Sequence, residues 1–264
     1  MHAADPLRTT DWNAAAYDDL SDPQFEWGMA VLKTVELAGG ERVLDAGCGS
    51  GRLAEELLSR LSSGEVVALD SSPQMLEQAR RRLERFGARV EFVHASLQDF
   101  ELARRVDGIF SNAVFHWVPD HAAMFRCLYR GLKPGGWLVA QFGGMGNLER
   151  THRRADAAAG QAPFRDHLQD VEYGPHFEDV ESTQQRMQAA GFQVNEAGLH
   201  TVEAGFQRRE RYEAFLRTVV LRQPLAKLPA ALQGEFLQEI SRRTLQEEGA
   251  YLLDYVRLTV RARS

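Results

Sequence analysis

The stretch Val43-Leu44-Asp45-Ala46-Gly47-Cys48-Gly49-Ser50-Gly51, followed by Arg52-Leu53-Ala54-Glu55-Glu56-Leu57, constrains the fold of the 264-residue chain more than any other. A short apolar run ends in glycines at 47, 49 and 51, and Leu53, Leu57, Leu58 and Leu61 then recur at helical spacing. That order reads as strand, tight turn, helix. Glycines in such a turn permit positive φ and leave no side chain between backbone and ligand, so a polar ligand can lie against the N–H groups that open the helix. We expect a small-ligand site here.

The spacing narrows the ligand. A dinucleotide fingerprint, Gly-x-Gly-x-x-Gly, would need a third glycine where Arg52 stands, and no Gly-Lys pair exists to make a phosphate-binding P-loop. A second apolar run, Val66-Val67-Ala68-Leu69, ends in Asp70. An acid at the end of a second strand can accept hydrogen bonds from two ribose hydroxyls, so the two stretches together define a nucleoside pocket.

Further stretches extend the pattern: Ser72-Pro73-Gln74-Met75-Leu76, Asn112-Ala113-Val114-Phe115-His116-Trp117-Val118 and Leu132-Lys133-Pro134-Gly135-Gly136-Trp137-Leu138. With the glycine turn and Asp70 they resemble, in order, the motifs of the class I S-adenosylmethionine-dependent methyltransferases, over roughly residues 11 to 145 and more loosely beyond. Within that family the likeness is greatest to the trans-aconitate methyltransferase group of small-acid O-methyltransferases. Trp12-Asn13 with Tyr17, Asp70 to Leu76, and Ala113 to His121 carry it, with Phe215-Leu216-Arg217 and Leu221-Arg222 fitting in outline. The chain departs from the group at His116, where glutamine is frequent, and at Ser96, where aspartate is common.

The resemblance implies S-adenosyl-L-methionine as cofactor and assigns residues to it. The loop of Gly47, Cys48, Gly49 and Gly51 would meet the methionine portion, and Asp45 would orient that loop, take the amino group through water, or cap the turn. Asp70 would hold the ribose, with Ser71, Ser72 and Met75 on the adenine side, Met75 being equally able to serve as plain core, and Ser96, the Leu97 backbone or Asp99 at the adenine amino group. Ser72-Pro73 is equally an ordinary helix start. Asn112 would reach the methionine end through its backbone, and Trp117 and Tyr17 would face the sulfonium or the acceptor, as an aromatic face towards a cation is favourable. Tyr17 and Trp12 are equally able to staple a helix to the core.

Composition sets outer bounds. At 44% apolar residues the chain can supply a full core, and its net charge of −6 gives no overall basic character to hold nucleic acid. Cys48 and Cys127 are too few for a disulfide framework, and the histidines at 152, 167, 176 and 200 lack ligand-like spacing, so no metal is expected. No apolar run approaches the ~18 residues of a membrane span, and Met1 to Asp5 lacks a basic-then-apolar signal. We therefore expect a cytoplasmic protein with a small-molecule acceptor and no membrane or nucleic-acid partner; the sequence is silent on oligomeric state.

From Val43 strands and helices alternate: strand 42–46, helix 51–61, strand 65–70, helix 73–86, strands 89–94 and 106–111, helix 120–131, strand 136–142. Such alternation predicts a doubly wound, mostly parallel α/β sheet, with ligands outside the carboxyl ends of the strands, and the resemblance implies the seven-stranded Rossmann-like form. The expected organisation is lid helices over 1–40, a cofactor-binding core over 41–145, a cap insertion over 146–175, a return to the core over 176–204, a helical cap over 205–249 and a last strand over 250–264.

Methyl transfer from a sulfonium needs alignment first, and a base only where the acceptor is protonated at neutral pH. His116 is the histidine placed to act as such a base; it is equally able to bond the backbone and shape its loop. His94 reads as strand-end packing and His121 as a solvated first-turn residue. Arg153-Arg154 and the other basic pairs read as solvated faces, while Arg222, Arg257 and Tyr173 are candidates to grip an acid. The expected reaction is O-methylation of a small carboxylic acid. The alternatives are methylation of a natural-product hydroxyl, carbon or amine with His116 as base, and a non-catalytic S-adenosylmethionine-binding protein.

Overall fold

The computed structural model describes residues 22–169 and 173–264. The expected lid residues Trp12 and Tyr17 lie outside the described residues.

Strands β1 (Arg42–Ala46), β2 (Glu65–Asp70), β3 (Val90–His94), β4 (Val106–Asn112) and β5 (Leu132–Gly143) run parallel. Two more, β6 (Gln193–Phe206) and β7 (Tyr251–Arg263), complete a seven-stranded sheet in the order β3-β2-β1-β4-β5-β7-β6, with β7 antiparallel to both neighbours. The expected doubly wound α/β sheet is therefore the observed one.

Alternation along the strands decides which helix covers which face. Val43, Val66, Phe110 and Val139 join an apolar cluster with helices α1 (Asp22–Lys33) and α2 (Arg52–Arg60), through Val31, Leu32, Ala54, Leu57 and Leu58. Their neighbours Leu44, Val67, Ile109 and Leu138 face the other way, against α4 (His121–Gly131) and α6 (Val180–Ala190), through Met124, Phe125, Leu128 and Met187. Every central strand is thus covered on both sides, as a parallel sheet requires.

The turns follow from local chemistry. Helix α3 (Pro73–Leu83) begins with the Ser72 hydroxyl accepting from Met75 N–H and Pro73 in the first turn. It ends at Leu83, three residues short of the expected 86, because the chain tightens into a 3-10 turn over Glu84–Arg89 to pass Gly87 at φ +53°. Gly51 opens α2 at φ +85°, and a Cβ there would stand 3.2 Å from the Ala79 backbone, so its glycine lets α2 pack directly on α3.

The segment after β5 holds α5 (Glu149–Ala159), and the connection from β6 to β7 holds α7 (Arg209–Phe215), a π turn (Leu216–Val220), α8 (Arg222–Lys227) and α9 (Ala230–Glu248). These segments share one apolar cluster, containing Ala155, Phe164, Tyr212, Phe215, Phe236 and Ile240, which also takes in Leu253 and Tyr255 of β7. Arg154 is the correction here. It is not on a solvated face but 2% exposed, because α5 packs against the end of α9, where Glu247 and Glu248 both pair with its guanidinium. Among the described residues, no helix is long and apolar enough to cross a membrane.

Candidate active site

The carboxyl ends of β1, β2 and β4 open onto a cavity of about 180 Å³. Its floor is the glycine turn. Gly47 has φ +83°, and a Cβ there would lie 2.4 Å from a Val114 methyl; Gly49, at φ +53°, has open space where a Cβ would stand. One glycine is therefore required by packing, while the other leaves backbone facing the cavity.

Two acids stand in the wall. Asp70 accepts from Gly49 N–H at 2.8 Å with one carboxylate oxygen and from Ser72 N–H at 2.8 Å with the other. Burial pushes its pKa up and these N–H groups pull it back, leaving a net rise. Asp45 is 2% exposed, and its Oδ2 has no hydrogen-bond partner among the described residues. Burial first, then the charge on Asp70, raise its pKa to about 7. A buried carboxylate oxygen without a donor costs about 1–3 kcal/mol, so the position fits a ligand that brings a cation or an N–H group.

Several other candidates line the same cavity: Cys48, Ser71, Met75, Ser96, Leu97, Asn112 and Trp117. Ser96 accepts from Gln98 N–H at 3.2 Å and so shapes its own turn as well. Burial and the two acids hold the Cys48 thiol well above its usual range, so it stays neutral. Gly51 does not line the cavity; it serves the α2–α3 contact described above. Tyr17 lies outside the described residues. His94 is exposed on β3, with Nε2 3.0 Å from the Ser71 carbonyl, rather than packed.

Gln24 and Phe25 of α1 also line the cavity, and neither carries a signal in the sequence beyond helical periodicity. Gln24 is 6% exposed, its Oε1 is without a partner among the described residues, and its backbone carbonyl accepts from Asn112 Nδ2 at 2.9 Å. This bond ties α1 to the end of β4.

Beyond Asn112 the backbone turns sharply. Ala113 adopts φ +61°, a strained value for a residue with a Cβ, and its N–H donates to the Gln141 carbonyl at 2.7 Å. The chain then enters a 3-10 turn, Phe115–Trp117, which brings His116 and Trp117 side by side with rings 5.2 Å apart. His121 is a second correction. It is 4% exposed rather than solvated, because this turn places the Phe115 carbonyl over the start of α4, where His121 Nε2 donates to it at 2.8 Å.

A second, smaller cavity of about 30 Å³ adjoins the first and shares Gln24, Ala113 and Trp117 with it. His116, Asn147, His152, Tyr255 and Arg257 supply polar groups to it, and among the described residues no acid lines it. Arg257 is 1% exposed, 3.4 Å from the Gln141 side-chain oxygen, and its guanidinium lies 5.3 Å from the Trp27 ring centre. His152 stacks on Tyr173 at 4.0 Å, and burial lowers its pKa to about 4. Tyr173 spends its hydroxyl on Asp156 and the His152 carbonyl, and neither it nor Arg222 lines either cavity. His152, Asn147 and Tyr255 escaped the sequence reading because they come from α5, its leading turn and β7, which only the fold brings together.

Comparison with known proteins bears on this geometry. Residues 43–136 match a family model described as a methyltransferase domain. A trans-aconitate 2-methyltransferase of Methylobacterium nodulans is 39% identical over 155 residues, 58% of this chain and 58% of the relative, so the match spans less than two thirds of that protein's length. One from Variovorax paradoxus is 29% identical over 95% of this chain and 97% of its own. Among solved structures, a putative methyltransferase from Bacillus halodurans superposes with a TM-score of 0.62 at 18% identity, covering 89% of this chain and 97% of that one. A phosphoethanolamine N-methyltransferase from Haemonchus contortus, solved with S-adenosyl-L-methionine, gives 0.62 at 19% identity, covering all of this chain and 60% of that one. The glycine turn, the acid ending β2 and the strand order thus agree with both comparisons: residues 43–136 match a methyltransferase-domain family, and the chain has the Rossmann-like fold of solved methyltransferases.

Proposed function

We propose that the chain is an S-adenosyl-L-methionine-dependent methyltransferase that methylates a carboxylate oxygen of a small acid. The observation that carries this reading is the division of charge between the two adjoining cavities. The larger has Asp45 and Asp70 in its wall beside Arg52, and the smaller has the Arg257 guanidinium with the neutral rings of His116 and His152 and, among the described residues, no acid. A cationic, hydroxyl-bearing cofactor suits the first and an anionic acceptor the second. The likeness to trans-aconitate 2-methyltransferases supports the same acceptor class.

The residues present fit the cofactor. Asp45, whose Oδ2 has no partner among the described residues, would receive its ammonium group, the half-buried Asp70 carboxylate would offer its remaining lone pairs to two hydroxyls, and the open backbone at Gly49 would allow close approach. S-adenosylmethionine supplies a methyl group already activated on a sulfonium. The chain's own work is then to bring the acceptor oxygen in line from the smaller cavity and to keep water out, and alignment of this kind is worth roughly 7–11 kcal/mol at best. Because a carboxylate is ionised at neutral pH, no base is required of the protein.

The test is calorimetric titration with S-adenosylhomocysteine, followed by transfer of a labelled methyl group from S-adenosylmethionine to trans-aconitate, other small acids, phenols and amines. Micromolar binding with label on an acid, released by mild alkali as an ester is, supports the proposal. Label confined to phenols or amines, or binding without transfer to any acceptor, overturns it.

A further inference from the structure

His116 is where the hydroxyl-methylating alternative would place its base, and the geometry of its ring bears on that role. The ring is 7% exposed, and its Nδ1 lies 3.1 Å from the backbone N of Gly143. An amide nitrogen can only donate, so Nδ1 is the acceptor, and in a neutral imidazole the single proton then sits on Nε2. Nε2 has no partner among the described residues, and the ring borders the smaller cavity. The peptide around Gly143 is not free to turn away. It belongs to β5, paired with Arg257 in β7, and a Cβ at Gly143 would lie 2.7 Å from the Phe177 ring.

Resting on the proposed acid-methylating function, we infer that His116 meets the acceptor as a hydrogen-bond donor through Nε2–H, holding a carboxylate oxygen, and does not act as a general base. The nitrogen that could take a proton faces a backbone N–H, and the nitrogen that faces the acceptor already holds one. Double protonation of the ring would bring a second proton against Gly143 N–H. The surroundings also oppose it: burial first, then the charge on Arg257 and the neighbouring His121, hold the ring well below its usual pKa. Methyl transfer to a carboxylate moves no proton, so a fixed donor is the more useful group. A donor at this point also selects acceptors. It rewards an anionic oxygen and leaves a hydroxyl with nowhere to discharge its proton.

The tautomer can be read directly. Long-range 1H–15N spectra of the 15N-labelled protein with S-adenosylhomocysteine bound, with the His116 signals identified by their loss in His116→Asn, report which ring nitrogen is protonated. An Nε2-protonated ring unchanged between about pH 6 and about pH 8, whose Nε2–H signal moves on adding trans-aconitate, supports the donor role. A ring protonated on Nδ1, or on both nitrogens in that range, overturns it.

Two substitutions separate the functions of the two nitrogens. His116→Asn keeps an oxygen near the Nδ1 position but no donor at Nε2, and should raise the acceptor KM about tenfold or more, as losing a bond to a charged group does. His116→Gln restores a donor near Nε2 and should return KM most of the way. S-adenosylhomocysteine affinity should be held within about twofold in both. An acidic limb in kcat/KM for the parent that vanishes in both variants would overturn the inference. The two failures are distinct: an acid that takes no label defeats the proposed function, whereas an Nδ1–H tautomer defeats the donor role whatever the acceptor.

Discussion

Asp45 and Asp70 stand at the carboxyl ends of neighbouring parallel strands, and the charge on Asp70 adds to burial in raising the Asp45 pKa to about 7. The two acids are handled differently by the backbone. Asp70 is held by Gly49 and Ser72 N–H groups, while Asp45 keeps one oxygen with no donor among the described residues. The same pair therefore offers two distinct contacts to a ligand.

Asp45 should leave a signature in stability against pH. Its carboxyl titrates near 3.8 when unfolded and near 7 when folded, so between those values the folded state holds a proton that the unfolded state has released. Stability from this group falls as pH rises from about 4 to about 7. The buried histidines His116 and His152 act in the opposite sense, since their lowered pKa values make stability fall as pH drops below about 6.5. The comparison with Asp45→Asn isolates the acid. Thermal unfolding over about pH 5 to about pH 8 should show the parent losing stability relative to the variant as pH rises, and a constant difference would refute the raised pKa.

Asp45 should also couple cofactor binding to protons. A ligand ammonium at its free oxygen favours the carboxylate, so binding S-adenosylhomocysteine near pH 6.5 should release a proton and tighten towards pH 8. Calorimetry in buffers of different ionisation enthalpy counts the protons. Asp45→Asn should abolish the release; an unchanged count would place the proton elsewhere.

Asp70→Asn should weaken S-adenosylhomocysteine binding by about tenfold or more, because a charged acceptor is replaced by an amide that can satisfy only one of the two backbone donors. Alanine is the poorer test, as it strands both N–H groups and costs stability as well. The Tm of Asp70→Asn without ligand, measured beside its affinity, separates the two effects. Unchanged affinity would remove Asp70 from the site.

The glycine turn allows a matched pair of substitutions. Gly47→Ala places a Cβ 2.4 Å from Val114 at a positive φ, and should destabilise the ligand-free protein by about 2–4 kcal/mol. Gly49→Ala meets nothing within 4 Å and carries only the cost of its φ, about 1 kcal/mol. The order should reverse in emphasis for the ligand: Gly49→Ala loses affinity for S-adenosylhomocysteine out of proportion to its small loss in Tm. Equal losses in stability would contradict the packing.

The parallel core was legible in the sequence because each of its elements carries a local signal: apolar runs for buried strands, Ser72-Pro73 for a helix start, glycines for positive φ. What escaped was set by contacts between distant segments. His121 looked solvated because nothing in its own helix shows that the Phe115 carbonyl lies above it, and Arg154 looked exposed because its partners lie more than 90 residues away in α9. Gln24 and His152 reach the cavities from helices whose periodicity reports only that they pack.

The Arg154 cluster yields the last prediction, and it concerns the helices above the sheet. Arg154 pairs with Glu247 at 2.9 Å and with Glu248, and Arg150 also reaches Glu248 at 2.9 Å and Glu203 at 2.8 Å. Arg154→Met keeps the apolar stem but removes the charge between two acids. Breaking such a pair costs about 3–5 kcal/mol, and the remaining Arg150–Glu248 contact places this case near the lower figure. A loss of about 3 kcal/mol lowers Tm by roughly 6–12 °C in a chain of this size. None of these residues lines the larger cavity, whereas His152, two positions away on α5, lines the smaller one. S-adenosylhomocysteine affinity should therefore hold at moderate temperature while the acceptor KM rises. A parallel loss of both would mean that the helices above the sheet and the cofactor cavity unfold together.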